Sequence, residues 1–482
     1  MIVLNLQALW RRASSLSVRR RPCRQSAKPF TSGPAPALLR SLCLFAAVFL
    51  STAAARAQDT NPPPPQYSIP SPQYSTTPVL SQAVETNLPS LPPPVYSPEA
   101  PPAPPLAGTR QLYVPSAAPL PALPPLLHSG PLALQTHLSY SLSYGNGLQA
   151  TPGQQSKSVI NEIDPGILFQ WGNHWTLDYT PSLRYYSSSA FQNTFDNSVT
   201  LTGGTTYEDW TFGLSQSYAS YSDPIIETGS QLDQQTYSTG LSAVRQIGSQ
   251  TSLQLGASQN FRFLDQTVPG EQLTDTKSWS TMDWLNYQFW PRFGAAVGTG
   301  FGYDNVGVGS DMTSEQLQGR ITWLVVKKLS FVLSGGGSDR QFLGSGAPDL
   351  LSPIFSLSVQ YSPYDGTTFS ISAYRAVSPS FYQDQVTEST SISAGLHQRL
   401  LGKLYLDLNG GYSTTAYHSS TLAPAAANIG NYDSTFFSAQ LGAPVLKRGY
   451  AAVFYSVNYN SSGAAIYNYT TTMVGLQLSY RY

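Results

Sequence analysis

Apolar and polar residues alternate along the chain from Leu132 to the C-terminus. Alternation with a period of two is typical of strands whose two faces meet different surroundings. In the last segment, every second residue from Val474 onward is apolar or aromatic, and the residues between are Gly, Gln, Ser and Arg. The same alternation recurs in segments that begin at Trp175, Leu253, Phe355 and Val453. The pattern predicts a long series of strands, each with one apolar and one polar face.

Short turns separate these strands at regular intervals. Their spacing, roughly 35 to 46 residues, accommodates two strands of about 13 residues and one longer loop. Eight such turns imply nine hairpins and therefore about eighteen strands, an even number as bacterial membrane barrels require. The turns are at Gly172-Asn173, Glu208-Asp209, Gly248-Ser249, Pro291-Arg292, Lys327-Lys328, Tyr364-Asp365-Gly366, Gly402-Lys403 and Lys447-Arg448.

The opposite end of each hairpin is longer and richer in turn-forming residues, which predicts tight turns at one end of the sheet and loops at the other. The charges sort by sign in the same way. Basic residues such as Arg292, Lys327 and Arg448 lie at the tight turns, whereas acidic residues such as Asp223 and Glu227 lie in the long connections. A soluble β-sandwich or β-helix, the alternative fold, does not require this asymmetry. A membrane barrel does, with short periplasmic turns and longer outer loops.

Composition favours the same fold. Charged residues make up 11% of the chain, against roughly 25% in a typical soluble domain. The mean hydropathy of −0.17 excludes a chain of transmembrane helices. A barrel explains both values, because lipid-facing residues are apolar and lumen-facing residues are polar but uncharged. Residues 130–482 are therefore predicted to form an all-β, transmembrane, antiparallel up-and-down β-barrel of about 18 strands.

Aromatic residues lie near the predicted strand ends, where amphipathic rings favour the headgroup layer of a bilayer. They indicate two aromatic girdles, and the set comprises Trp171, Trp175, Tyr207, Trp210, Trp279, Phe289, Trp290 and Tyr303.

The first 57 residues are predicted to be a targeting segment. An apolar run from Leu42 to Leu50 follows Arg40, and Ala55 and Ala57 form the small-x-small pattern of a signal-peptidase site. The basic stretch before Arg40 is long for a signal, which indicates either an over-extended start or an extended signal. Both cysteines, Cys23 and Cys43, lie in this segment. Cleavage after Ala57 would leave neither disulfides nor cysteine chemistry in the mature chain.

Residues 58–129 form a proline-rich arm, with 21 of the chain's 38 prolines between Pro62 and Pro125. Proline fixes φ and removes a backbone donor, so this stretch is predicted to be disordered and to sample polyproline II. It is interpreted as a spacer, a periplasmic or peptidoglycan tether, or a plug for the barrel.

The remaining sequence is acidic. Nine basic residues and no acids lie in residues 1–58, so the rest of the chain carries a net charge of −9. Phosphate binding needs a basic surface, and nucleic acid is therefore not an expected partner.

The C-terminal segment resembles the closing strand of bacterial outer-membrane barrels, with aromatic residues at Tyr482 and Tyr480 and apolar residues at Leu478, Leu476 and Val474. The resemblance implies that the barrel-assembly machinery reads this strand. Residues 130–482 also resemble, in layout, the porin-like barrels of bacterial outer membranes. The resemblance implies an outer-membrane location, contact with lipid and lipopolysaccharide, and a periplasmic arm. No loop is long enough to match the constriction loop of general porins, so their selectivity is not implied.

With the apolar residues facing lipid, several charges face the lumen. They are either a field that selects solutes or structural groups that pair across the lumen. The inward charges are Asp178, Arg184, Arg262, Arg320 and Asp407. One strand presents Gly294, Ala296, Gly298, Gly300 and Gly302 inward, which predicts open space beside it.

A barrel of about eighteen strands is wide enough for an aqueous channel. Two functions remain open: a channel for small hydrophilic solutes or an exported polymer such as exopolysaccharide, and a non-conducting barrel that serves as an anchor or adhesin. The sequence predicts neither a cofactor nor an enzyme, because its five histidines show no metal spacing. His397 is interpreted as a polar lumen residue.

Overall fold

The computed structural model describes residues 127–172, 174–265, 273–422, 431–445 and 447–481. The described residues form nineteen β-strands and a one-turn 3₁₀ helix, Ala465–Tyr467. The strands are β1 Leu127–Ser129, β2 Leu132–Thr151, β3 Gln154–Trp171, β4 Trp175–Tyr186, β5 Thr194–Tyr207, β6 Trp210–Pro224, β7 Gln231–Gln246, β8 Thr251–Asp265, β9 Thr276–Trp290, β10 Phe293–Val306, β11 Met312–Val326, β12 Leu329–Phe342, β13 Leu350–Tyr364, β14 Thr367–Pro379, β15 Gln385–Leu400, β16 Leu404–Ser419, β17 Tyr432–Val445, β18 Gly449–Ser462 and β19 Tyr469–Arg481.

Strands β2 to β19 form a closed barrel of eighteen strands. Each strand pairs antiparallel with its neighbours in the sequence, and β19 pairs with β2 from Thr472↔Asn146 to Arg481↔His137 to complete the ring. The predicted up-and-down barrel and its strand number are therefore confirmed. The three-residue strand β1 pairs only with the start of β2, and it precedes the predicted barrel start at residue 130.

The predicted tight turns lie together at one end of the barrel, which we call the turn end. Glu208 and Leu401 adopt positive φ values of 52° and 48° there, the left-handed conformation that such short connections require. The other end, which we call the loop end, carries the longer connections, with one exception. Only Pro152 and Gly153 join β2 to β3, because these two strands extend beyond their neighbours. The end-to-end asymmetry is thus real but not strict.

The two faces of the wall differ as the alternation predicted. Val474, Leu476 and Leu478 are 52%, 53% and 54% exposed on the outer face, whereas Gln477 between them is 7% exposed and faces inward. Tyr480 lies on the outer face, and Tyr482 lies outside the described residues. Inward positions around the ring are mostly Ser, Thr, Gln, Asn and Gly. The exterior apolar band matches what a bilayer core requires of a barrel surface.

Aromatic side chains mark both ends of this outer band. At the turn end, Trp171, Tyr207 and Trp290 are 57%, 66% and 65% exposed. At the loop end, the rings of Trp279 and Tyr303 stack at 5.9 Å between centroids. The two predicted girdles are therefore present on the barrel surface.

Several predictions fall outside the described residues. The cleavage residues Ala55 and Ala57 and residues 58–126 of the arm are among them, as is Asn173 of the first turn.

Candidate functional site

Three hairpins leave the barrel wall at the loop end. The β5–β6 ladder ends at Asn197↔Ser220, although β6 continues to Pro224. The β13–β14 ladder ends at Phe355↔Arg375, although β14 continues to Pro379. The β19–β2 ladder ends likewise at Thr472↔Asn146, five residues before β2 ends. We call the freed parts tip 2–3 (residues 147–153), tip 6–7 (residues 221–230) and tip 14–15 (residues 376–384).

Tip 6–7 is deeply buried although it connects two surface strands. Ile225, Ile226, Glu227, Thr228 and Ser230 are all at most 3% exposed. Connecting segments normally run over a protein surface, so a buried connection needs partners for its polar groups. The tip provides one internally, since the amide of Ile225 donates to the carbonyl of Ser230 at 3.0 Å.

Tip 14–15 supplies the other partners from across the lumen. The Glu227 Oε1 atom accepts hydrogen bonds from the Ser380 hydroxyl at 2.6 Å and from the Phe381 amide at 3.2 Å. The Tyr382 hydroxyl donates to the Glu227 carbonyl at 3.4 Å and lies 3.2 Å from the Tyr467 hydroxyl. Six strands separate the two hairpins on one side of the ring and eight on the other. The contact between the two tips therefore spans the lumen.

Apolar packing closes the space around these hydrogen bonds. Phe381 is 2% exposed, and the Arg262 guanidinium lies over its ring at 3.8 Å while donating to the Ser380 carbonyl at 2.7 Å. Leu273 forms an isolated antiparallel bridge with Tyr382. The cluster consists of Ile225, Leu232, Leu264, Leu273, Phe381, Tyr382 and Tyr467, with Tyr417 and Ala464 packed against it. We call this assembly, with Glu227 and Arg262, the mouth cluster.

The Glu227 carboxyl is the titratable group at the centre of the mouth cluster. Burial raises its pKa above the ordinary value of 4.5, and this effect exceeds the opposing effects of the Ser380 hydrogen bond and the Arg262 charge. Tyr417 also interacts with this carboxyl. The protonation state of Glu227 is therefore coupled to the closed arrangement of the tips.

The mouth cluster is a feature that the loop lengths did not indicate. No single loop is long enough to match the constriction loop of general porins, but two hairpin tips, which bring their own strand residues with them, meet across the lumen. Glu227, Ser380 and Phe381 were not predicted as site residues. The sequence does contain one signal that could have indicated this site. Two apolar pairs, Ile225-Ile226 and Phe381-Tyr382, lie inside otherwise polar connections.

Arg184 forms the largest ion-pair network in the described part of the chain. Its guanidinium, 5% exposed, contacts Glu162 at 2.5 Å, Asp196 at 3.5 Å and also Asp223 at the base of tip 6–7. Asp223 is the residue through which this network holds the tip against β3, β4 and β5. For Arg184, the contacts favour the structural interpretation.

Two other predicted lumen charges have local partners near the turn end. Asp178 accepts a hydrogen bond from Thr180 at 2.7 Å on the same strand. Asp407 lies 2.6 Å from the Nδ1 atom of His397 on the neighbouring strand. His397 thus faces the lumen beside a carboxylate, and its ring stacks near Tyr405.

Arg320 is placed differently. It is 4% exposed, it lies over the Trp284 ring at 4.1 Å, and its Nη2 atom donates to Gln254 at 3.1 Å and to Asn286 at 2.8 Å. No described carboxylate forms an ion pair with it, and the described residues provide no acceptor for its Nη1 atom. The five predicted lumen charges therefore have separate partners.

The glycines of β10 do not leave open space as predicted. A Cβ atom on Gly298 would lie 2.5 Å from the Trp284 Cε3 atom, and one on Gly300 would lie 2.8 Å from the Met282 sulfur. Large side chains from β9 therefore occupy the space over β10. The small residues accommodate these side chains and do not widen the lumen.

Among the described residues, no helix has the length and apolar character needed to cross a bilayer. The same residues contain no group of three or more His, Cys, Asp or Glu side chains arranged to hold a metal ion.

Known proteins resemble the chain in structure and not in sequence. No family model and no curated protein matches the sequence. Among solved structures, Pseudomonas aeruginosa OccK2 (OpdF) in complex with glucuronate is 10% identical, with a TM-score of 0.40, and the match covers 72% of this chain and 97% of that one. Acinetobacter baumannii OccAB2 is 11% identical, with a TM-score of 0.40 and coverage of 72% and 98%. Pseudomonas aeruginosa OccK11 (OpdR) is 12% identical, with a TM-score of 0.37 and coverage of 72% and 95%.

Proposed function

We propose that this chain is an outer-membrane channel through which small hydrophilic solutes pass passively. The observation that carries the proposal is the closed wall of eighteen strands, apolar outside and lined with Ser, Thr, Gln and Asn inside. A barrel of this strand number encloses more space than its own side chains fill.

The orientation follows from the two ends. Tight turns in outer-membrane barrels face the periplasm, and longer loops face outward. The turn end then lies in the periplasm with the start of β2, so that the proline-rich arm extends into the periplasm, where peptidoglycan is available as a partner. Lipid and lipopolysaccharide contact the outer band, and the barrel-assembly machinery recognises the C-terminal segment through Val474, Leu476, Leu478, Tyr480 and Tyr482.

The mouth cluster makes this channel a restricted one. Tips 6–7 and 14–15 meet across the lumen, so solutes pass only around the cluster or after it separates. Tip 6–7 is no longer paired with β5, and tip 14–15 is no longer paired with β13. Movement of either tip therefore breaks no hydrogen bonds to that neighbouring strand. Because the two tips meet across the lumen, the channel favours small solutes over an exported polymer, which needs a continuous wide path.

A non-conducting anchor is the second candidate, and the same mouth cluster favours it if the tips never separate. Single-channel recording in planar bilayers distinguishes the two. A Cys23→Ser, Cys43→Ser, Leu273→Cys, Tyr382→Cys variant of the full chain tests the role of the mouth, because antiparallel bridge partners lie within disulfide reach.

We expect the parent chain to give stable conductance steps. The oxidised cysteine pair should suppress the larger steps, and a reducing agent should restore them, whereas Leu273→Cys alone should not respond to reductant. Silence from the parent and from every variant, with a heat-modifiable folded barrel on gels, would leave the anchor as the function.

A further inference from the structure

The outer face of the barrel is not uniformly apolar. In the sector from β6 to β10, polar side chains take positions that the alternation assigns to the outer face. Leu241 and Leu285, each two residues from such a position on its own strand, are 53% and 54% exposed there. We call this set the polar patch, and it consists of Gln216, Thr239, Gln259, Thr281, Asp283 and Thr299.

The polar patch lies between the two aromatic girdles, at the level of the bilayer hydrocarbon. On β9, Thr281 and Asp283 lie between Trp279 of the loop-end girdle and Trp290 of the turn-end girdle. The Asp283 Oδ1 atom accepts a hydrogen bond from the Gly256 amide at 3.3 Å, and its Oδ2 atom has no partner among the described residues. Lipid provides no partner either, and a carboxylate that faces it is unfavourable.

The outward positions of the opposite wall are apolar. Strand β18 lies nine strands from β9 in the ring of eighteen, and its outward residues Val453 and Tyr455 are 48% and 43% exposed. Val474 and Leu476 of β19 continue this surface. A uniform contact with lipid predicts no such difference between the two walls. The sector from β6 to β10 therefore favours a protein neighbour over lipid.

The polar patch has an acceptor and a donor at the same depth on its two sides. The register row that starts at Trp279 passes through β8 and β7 to Gln216, and it continues to Phe169, two residues from the turn end of β3. With strands about 4.8 Å apart and tilted by about 40°, Gln216 is about 9 Å nearer the turn end than Trp279. Asp283, four residues along β9 from Trp279, is about 10 Å nearer it by the same tilt. The Gln216 amide forms no hydrogen bond with any residue that the structure describes.

We propose that the polar patch is the contact between two copies of this chain, side by side in the membrane and related by a two-fold axis along the membrane normal close to β8. This axis places Asp283 of each copy against the Gln216 amide of the other, so that each group which lipid leaves unpaired has a partner. The inference goes beyond the proposed channel function and does not depend on it.

The rim above the polar patch is self-complementary in the same way. Asp233 of β7 and Asp265 of β8 are direct cross-strand partners, and like charges at such positions repel each other. Lys277, on β9, lies over the Phe263 ring at 5.7 Å and forms no ion pair with a described carboxylate. In the two-fold arrangement, the second copy's Lys277 faces these two acids. A different partner would have to supply its own cation at this place.

Cysteine cross-linking in outer membranes tests the contact. The full chain with Cys23→Ser and Cys43→Ser receives Ala257→Cys, which is in the middle of β8 and close to the proposed axis. Ala439→Cys is the matched control, because Ala439 is an outward alanine in the middle of β17, nine strands away. Oxidation should convert Ala257→Cys to a species of twice the mass that a reducing agent separates, whereas Ala439→Cys should stay monomeric.

Energy transfer between labelled copies of the purified full chain, diluted with lipid in vesicles, tests the polar groups. Asp283→Leu should raise the dissociation constant of the dimer about tenfold, and Asp283→Asn should raise it less, because the amide keeps an acceptor oxygen. If Asp283→Leu does not fold, the comparison of the two cysteine variants decides. Equal cross-linking of both cysteine variants, a cross-link from Ala257→Cys to a protein of another mass, or a folded parent that is monomeric at every lipid dilution would overturn the dimer.

Discussion

The Glu227 carboxylate and the Ser380 hydroxyl lie 2.6 Å apart, although 153 positions separate these residues in the chain. Each residue is at most 2% exposed, and each belongs to a hairpin tip that has left the barrel wall. A single buried acid therefore joins two nearly opposite walls of the barrel. Because one charged group in a low-dielectric site has large energetic consequences, this contact is where pH and mutation should act most strongly.

The conductance of the channel should rise with pH. Burial raises the pKa of Glu227 above its ordinary value of 4.5, so the closed mouth binds the proton more tightly than an open mouth with Glu227 in water. Closure is therefore most stable below 4.5 and loses stability as pH rises through the raised pKa. Burial raises the pKa of Glu227, and the Ser380 hydrogen bond, the Arg262 charge and Tyr417 each reduce that rise.

Glu227→Gln is the matched variant for this prediction, because the amide keeps the size and the acceptor oxygen but does not titrate. Open probability, measured in planar bilayers across this pH range, should become flat in Glu227→Gln and resemble that of the parent at low pH. A variant that retains the full pH dependence would show that another group controls the mouth.

Removal of the Phe381 ring should open the mouth. Phe381 lies between the two tips with the Arg262 guanidinium against it, and Phe→Ala changes in packed sites cost about 3–5 kcal/mol. That loss falls on the tip contact and not on the barrel ladders, so we expect larger conductance steps with the heat-modifiable barrel intact. Phe195→Ala is the control, since Phe195 is 59% exposed on the outer face. Unchanged steps in Phe381→Ala would mean that the mouth cluster does not limit the current.

The sequence predicted the strands of the barrel wall far better than the contacts inside the lumen. Alternation and turn residues are local, so the strand number, the eight turns and the facing of residues such as Gln477 followed directly from them. The contact between Glu227 and Ser380 depends on where two ladders stop, at Ser220 and at Arg375, and no local pattern records that position. The partners of individual charged residues could not be predicted for the same reason. Arg184 and Arg320 both appear in the sequence as single inward-facing arginines, although their contacts differ.

Gly298→Ala should destabilise the barrel wall, whereas Gly319→Ala should not. A Cβ atom at Gly298 would lie 2.5 Å from the Trp284 ring, whereas one at Gly319, on the next strand, would have no atom within 4 Å. Overpacking of this kind costs about 1–3 kcal/mol. Unfolding in urea from lipid vesicles should give that difference between the two variants. Equal stability of the two variants would contradict the fixed position of Trp284.

Among substitutions that remove one charge from the lumen, Arg184→Met should destabilise the barrel the most. Arg184→Met would leave Glu162, Asp196 and Asp223 close together without their shared cation, and breaking a buried pair in this way costs about 3–5 kcal/mol.

The free energy of unfolding in vesicles, measured by urea titration, should fall by about this amount for Arg184→Met. It should hardly change for the control Arg245→Met, since Arg245 is exposed beside the Trp210 ring and belongs to no ion-pair network among the described residues. Adding Asp223→Asn should recover part of the loss, because it removes one of the like charges that Arg184 compensated. The same double variant releases tip 6–7 from the wall, so its conductance should exceed that of the parent chain. A loss no larger than that of Arg245→Met would show that the three acids are screened by water and that the network does not hold the tip.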